Sequence, residues 1–286
     1  MDGVLNILKP PGMTSHDVVD YIRKIFKVKK VGHTGTLDPG AAGVLPICIG
    51  KATKIVEYLT NDIKEYICEL TLGNATDTFD KYGNFLHEEK DCSYITENDI
   101  KKIIGCFLGE IEQIPPKYSA IKINGKRAYE LARHGVDIEI PSRKVFIYEI
   151  ELMHFSLPKV LLRVVCSKGT YIRTLCNDIG NALGCSGYMS FLLRTRAGNF
   201  KIQDSIPLDM LSKDNIDEIL VKIEDALDFP NFYVENKYKK LLINGNSIKV
   251  NRFHDKSKRV KIYCDKIFVG IGRLEKTFLY VEKLLI

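Results

Sequence analysis

No two cysteines of this chain stand in a C-x-x-C pair. The eight, at positions 48, 68, 92, 106, 166, 176, 185 and 264, follow neither a zinc-site spacing nor a disulfide framework. They read as reduced thiols packed as small hydrophobes, which implies a reducing compartment and a cytoplasmic location. The six histidines are scattered without ligand spacing, so no metal is expected. No apolar run reaches membrane-spanning length. The N-terminus has no charged segment followed by an apolar one, so no signal peptide is expected. Internal repeats and low-complexity segments are absent too. What remains is a globular composition, 45% hydrophobic and 27% charged over 286 residues, enough for one large domain or two.

Net positive charge is missing from most of the chain. Residues 232–286 hold 13 Lys and Arg against 5 Asp and Glu, a net of +8, while the remainder holds 29 against 31, a net of −2. Two readings are open for this basic end: a nucleic-acid anchor, or a solvated surface kept for solubility.

The most informative segment is Gly32-His33-Thr34-Gly35-Thr36-Leu37-Asp38-Pro39-Gly40-Ala41-Ala42-Gly43-Val44-Leu45-Pro46. It places one carboxylate, Asp38, in a run of small, turn-forming residues between apolar flanks. Gly32, Gly35, Gly40 and Gly43 permit backbone angles that a Cβ would forbid and let another molecule approach the main chain. A functional loop on a buried scaffold has this pattern. An isolated Asp-Pro-Gly would read as a turn aspartate bonding its own backbone.

Around this loop the elements are mixed. Gly3–Leu8 reads as a strand, and Ser15 is placed to cap a helix with Val18, Val19, Ile22, Ile25 and Phe26 on one face. Lys24, Lys27, Lys29 and Lys30 at its end suit either the helix dipole or a phosphate. Ala52–Leu59 reads as a short helix, and Lys64–Gly73 alternates, with Tyr66, Cys68, Leu70 and Leu72 on one face. Thr96-Glu97-Asn98-Asp99 has capping-box form. Val145–Phe155, Val160–Cys166 and Gly187–Arg196 read as strands. Thr170–Leu183 reads as a helix with Tyr171, Leu175, Ile179 and Leu183 toward the core, which leaves Arg173 off that face. The order lacks a β-α-β rhythm and predicts an α+β fold with a mixed or antiparallel sheet. Asp228-Phe229-Pro230-Asn231 reads as a linker to a short helix and three strand-like stretches.

The Asp38 loop resembles the catalytic loop of the TruB family of tRNA pseudouridine synthases. Two further segments resemble the same family: Pro115–Arg133 and Ser167-Lys168-Gly169-Thr170-Tyr171-Ile172-Arg173-Thr174-Leu175. Gly40 and Ala42 depart from it, standing where the family often has a larger residue and a Ser or Thr. The resemblance implies a catalytic domain over residues 1–230, with an insertion at about 113–135 that closes over RNA. It also implies a small β-rich PUA-like RNA-binding domain over 231–286.

By the same resemblance the chain converts uridine 55 in the T loop of tRNA to pseudouridine, flipping the base out of its stack, with no metal and no cofactor. Asp38 is the catalytic carboxylate, as nucleophile at the sugar or as base at C2′. Arg173 is its ion-pair partner, and Tyr66 stacks on the target base. His33 occupies the space the base vacates, Lys9 lies near the site, and Leu192 lines the pocket. Lys117, Tyr118, Lys122 and Arg127 mix cations with aromatics, as RNA loops require. The partner is the tRNA T arm, with no membrane and no obligatory protein. Rival readings are a non-catalytic RNA-binding or tRNA chaperone protein, and the catalytic subunit of a guide-RNA pseudouridylation complex. Such subunits usually carry basic terminal extensions, whereas Met1 stands almost directly on the first strand, so a standalone enzyme is expected.

Overall fold

The computed structural model describes residues 1–60, 63–119, 121–123, 125–133, 136, 139–250 and 258–286; the side chains of residues 122, 123, 127, 129, 132 and 133 lie outside that description. In chain order the first elements are β1 (Gly3–Lys9), α1 (Ser15–Phe26), β2 (Val31–His33), β3 (Ala42–Ile49), α2 (Val56–Thr60), β4 (Lys64–Leu72), α3 (Glu97–Gly105) and β5 (Gly109–Gln113). A two-stranded ribbon follows, β6 (Lys122–Ile123) and β7 (Lys126–Arg127), then α4 (Ala128–Arg133), β8 (Arg143–Ser156), β9 (Lys159–Cys166), α5 (Ile172–Ala182) and β10 (Gly187–Ala197). Next are β11 (Phe200–Lys201), β12 (Ile206–Pro207) and α6 (Ile216–Ile219). The C-terminal part holds β13 (Asn231–Val234), α7 (Lys239–Ile243), β14 (Ile248–Lys249), β15 (Arg259–Cys264), β16 (Ile267–Glu275) and β17 (Phe278–Leu284).

Ten strands form one mixed sheet in the order β12-β1-β3-β10-β4-β9-β8-β5, with β2 beside β3 and β11 beside β10. Most pairs are antiparallel; β1–β12 and β3–β10 are parallel. The α+β expectation is met. Strand β3 is buried on both faces, which is why its sequence is a nearly unbroken apolar run. Leu45, Ile47 and Ile49 join the main core with Val18, Val19 and Ile22 of α1, Ile100 and Ile104 of α3, and Leu175 and Ile179 of α5. Val44 and Cys48 point the other way, into a second cluster with Val4, Ile55, Ala226 and Leu227. That cluster also takes in Ile271 and Leu285 from the C-terminal sheet, whose strand order is β13-β15-β16-β17-β14.

Several local expectations are corrected. Thr14, not Ser15, caps α1: its hydroxyl accepts from the Asp17 N–H, and the Asp17 carboxylate accepts from the Thr14 N–H. Ser15 is the first helical residue and does another task, described below. Ala52–Leu59 is two pieces, a 3-10 turn over Gly50–Ile55 and then α2. Helix α5 starts at Ile172, so Tyr171 is its cap residue and does not face the core from within it; Arg143 lies over its ring, 4.9 Å from the centroid. Asn231, placed in the linker, opens β13, which pairs in parallel with β15. Among the described residues the C-terminal part has five strands rather than three. The capping box at Thr96 is present as predicted.

Candidate active site

Asp38 follows β2 in a tight turn closed by the Ala41 N–H donating to the Asp38 carbonyl at 3.0 Å. Of the four loop glycines singled out in the sequence, only Gly43 has a positive φ, +117°. A Cβ there would lie 2.2 Å from the Arg194 carbonyl oxygen, so that glycine serves both the backbone angle and close strand packing. Gly32 and Gly35 need neither.

Two buried side chains pin the loop. The Ser15 hydroxyl accepts from the Leu37 N–H at 2.8 Å and donates to the Leu37 carbonyl at 3.2 Å, tying α1 to the residue before the carboxylate. Lys9, at the end of β1, is fully buried. Its ammonium donates to the carbonyls of Pro10 (2.9 Å), Met13 (2.5 Å) and Pro39 (3.3 Å), the last directly after Asp38. Burial lowers the Lys9 pKa to about 8, against the opposing pull of Asp38. Ser15→Ala should leave the buried Leu37 N–H without a partner and cost about 1–3 kcal/mol of stability, read by denaturant unfolding. Unchanged stability would show the tether to be idle.

Arg173 is buried at the start of α5, with a side-chain exposure of 5%. Its Nη2 donates to Asp38 Oδ1 at 3.2 Å and to the Tyr118 carbonyl at 3.0 Å. Its Nε lies 2.9 Å from Asp38 Oδ2, an ion-pair contact with the N–H out of line for a hydrogen bond. Its Nη1 donates to the Thr78 carbonyl at 3.3 Å and to Asp80 Oδ2 at 3.4 Å. The helical-wheel expectation of an arginine off the core face fails because the first turn of α5 is covered by the 76–80 loop and by residues 114–118. A guanidinium suits this place because its donors leave in several directions at once, which an ammonium cannot reproduce.

Asp80 is the residue that the sequence analysis did not single out. It is nearly buried. Its Oδ1 accepts from the Thr78 hydroxyl at 2.8 Å and from the Tyr82 N–H at 3.0 Å. The preceding Phe79 has φ +61°, a costly conformation for an aromatic residue, held by the Met189 N–H on its carbonyl. The clue in the sequence was the turn-rich stretch Thr76–Gly83, placed directly after an alternating strand.

Burial pushes the Asp38 carboxyl above the ordinary aspartate range; Arg173 pulls it back, Asp80 pushes it further up, and Lys9 pulls it back. The side chain nevertheless keeps 36% of its exposure, so one side of the carboxylate is open. Tyr66 stands on β4 directly opposite Arg194 of β10. Desolvation raises the pKa of its phenol, while the positive charge of the Arg194 guanidinium opposes the rise. Arg194 is itself buried, its Nε donating to the Val44 carbonyl at 2.7 Å and its Nη2 to the Gly35 carbonyl at 3.2 Å. It too was not singled out from sequence. Leu192 pairs with Cys68 on the same sheet face as Tyr66 and Arg194, while Leu193 points to the other face.

His33 lies half-buried on β2, opposite Ile47. Lys117 is exposed at the edge of the segment whose Tyr118 carbonyl receives Arg173. Lys122 and Arg127 pair across the β6–β7 ribbon, and their side chains lie outside the described residues. The cysteines are free thiols; burial pushes Cys48 and Cys166 up to about 12, which makes them inert. Among the described residues no group of three His, Cys, Asp or Glu side chains is arranged to hold a metal. No helix among them is long and apolar enough to cross a membrane.

An open, ionisable carboxylate backed by a buried arginine, with a desolvated phenol on β4, is a site for nucleophilic or proton-transfer chemistry. Residues 23–172 match the TruB family pseudouridylate synthase N-terminal domain, and residues 173–228 match the tRNA pseudouridylate synthase B C-terminal domain. The chain therefore belongs to the TruB family of pseudouridylate synthases and is a pseudouridine-forming isomerase.

It is 50% identical over 277 residues to tRNA pseudouridine synthase B of Clostridium kluyveri, covering 95% of each chain. It is 48% identical over 290 residues to that of Clostridium tetani, covering 100% of each. Among solved structures it resembles a chain of a Cbf5-Nop10-Gar1 complex with a TM-score of 0.75 and 31% identity, covering 99% of this chain and 85% of that one. It also resembles a chain of an H/ACA RNP bound to a substrate RNA containing 2′-deoxyuridine, with a TM-score of 0.74, 29% identity and the same coverage.

Proposed function

We propose that this chain converts uridine 55 in the T loop of tRNA to pseudouridine without a guide RNA. The observation that carries the reading is the Asp38–Arg173 pair: a carboxylate held by a buried guanidinium on one side and open on the other. Similarity over the full chain to proteins named tRNA pseudouridine synthase B supports tRNA as the substrate.

The reaction breaks the N1–C1′ bond, turns the uracil and joins C5 to C1′; C5 gives up its proton and N1 takes one up, so the product is an isomer of uridine. Asp38 acts in its ionised form, at C1′ as nucleophile or at C2′ as base. Arg173 favours that form and fixes its direction. Tyr66 stacks on the uracil, Arg194 orients its phenol, and Leu192 walls the pocket. His33 fills the gap in the RNA stack, and extruding a loop uridine costs less than extruding a paired one. Lys117, Tyr118, Lys122 and Arg127 close over the RNA. The protein works in the cytoplasm with no obligatory partner, metal or cofactor.

A second reading, the catalytic subunit of a guide-RNA complex, is favoured by the likeness to the Cbf5-containing structures. Incubating the purified chain with unmodified tRNA alone separates the two: turnover supports the first, and a requirement for guide RNA supports the second.

In our reading residues 231–286 are a PUA-like anchor for RNA, and Lys237, Lys239 and Lys240 line a shallow cleft of about 420 Å³ with Asn236 and Ile243. A truncation near Phe229 would be an unclean test, because Ile271 and Leu285 are buried against Ile55 and Leu227 and would leave an apolar face bare. Charge removal is cleaner. Lys239→Gln with Lys240→Gln should weaken tRNA binding and flatten its salt dependence by about 0.7–0.9 log units for each phosphate no longer neutralised. An unchanged slope would remove the cleft from the RNA interface.

A further inference from the structure

Tyr82 has no part in the chemistry above, yet it is held in a particular place. Its N–H donates to Asp80 at 3.0 Å, and the edge of its ring rests on Gly40. A Cβ at Gly40 would fall 2.1 Å from Tyr82 Cε2 and 2.6 Å from Cζ. Gly40 has no positive φ, so the glycine provides room for the ring and not a backbone angle. Despite this seat Tyr82 keeps 65% of its exposure. The Lys81 ammonium stands 5.3 Å from the ring centroid. Gly40 is two residues beyond Asp38, a span of at most about 8 Å.

A large aromatic ring, seated but open, beside a cation and next to a carboxylate that receives a flipped uridine, fits one kind of ligand best. Unpaired nucleobases offer π-faces to aromatic side chains, and their phosphates attract the neighbouring cation. We propose that Tyr82, seated on Gly40, stacks on an unpaired nucleobase adjoining the target uridine, with Lys81 meeting the phosphate beside it. This rests on the reading of the Asp38 site as one that acts on RNA. It makes Tyr82 a determinant of which loops are accepted.

The test uses the full chain and T-arm stem-loop RNAs in which one loop nucleotide at a time is abasic. Tyr82→Ala and Tyr82→Leu should each raise KM and the equilibrium Kd on the order of tenfold, with kcat falling no more than about twofold, and Tyr82→Phe should restore the affinity. In the wild type one abasic position next to the target should cause the same loss, and that loss should disappear in Tyr82→Ala. The abasic series on the wild type stands even where a variant folds poorly. A fall in kcat with KM and Kd unmoved would overturn the proposal and make Tyr82 a prop for Asp80. So would affinity losses that add for every abasic position. Failure of the parent reading looks different: the wild type would bind the stem-loops without converting them, while binding still reports on the stack.

Discussion

Asp38→Asn should abolish pseudouridine formation while leaving the fold and RNA affinity in place. Asparagine fills the same volume but carries no charge and neither attacks a sugar carbon nor takes a proton. A loss of at least about 10²–10⁴-fold is expected from removing such a group. The fold should survive because Arg173 does not depend on Asp38 alone: Asp80, Thr78 and Tyr118 still accept from it. Lys9 and Ser15 hold the loop through its backbone, not through the carboxylate. The measurement is product yield under excess enzyme, beside a binding curve. Normal yield from the asparagine variant would remove Asp38 from the mechanism.

The second large effect belongs to Arg173. Arg173→Met leaves two carboxylates, Asp38 and Asp80, facing each other across an apolar side chain. Breaking a buried pair in this way costs about 3–5 kcal/mol, less on the Asp38 side, where solvent screens the charge. Arg173→Lys keeps the charge but not the set of directions, so the rate should fall more than the RNA affinity. The pH profile carries a sign. Arg173 lowers the Asp38 pKa and Asp80 raises it. Removing the arginine should therefore move the acid limb of kcat/KM to higher pH, since Asp38 must be ionised to act. Asp80→Asn should move that limb to lower pH even as it slows the reaction by loosening Arg173. Shifts in the opposite directions would contradict this electrostatic account.

The outer frame of the site was legible in the chain because it is local. The glycine- and proline-rich loop around Asp38, the alternation of β4 and the apolar run of β3 each declare themselves within a few residues. The capping box at Thr96 did so as well. What was not legible depends on distant partners. Ser15 looked like a helix cap; only the approach of Leu37 makes it a tether, while the reciprocal bonds between Thr14 and Asp17 set the cap. A helical wheel put Arg173 off the core face, and nothing local said that the Asp80 loop and Tyr118 would cover it. Asp80 drew no reading at all, because its loop is held by Met189 of β10 against Phe79, far away in the chain. Arg194 was read only as one residue of the strand Gly187–Arg196, because its burial depends on the parallel pairing of β10 with β3. The basic end was visible from charge alone, but its fusion to the body through Ile271 and Leu285 was not.

The measurement that bears most directly on the central claim is position-resolved mapping of pseudouridine in unmodified tRNA treated with the purified chain alone, the wild type beside Asp38→Asn. The account predicts one new pseudouridine, at position 55 in the T loop, made by the wild type and absent from the asparagine variant. Modification at another position, a need for added guide RNA, or the same product from both proteins would contradict it.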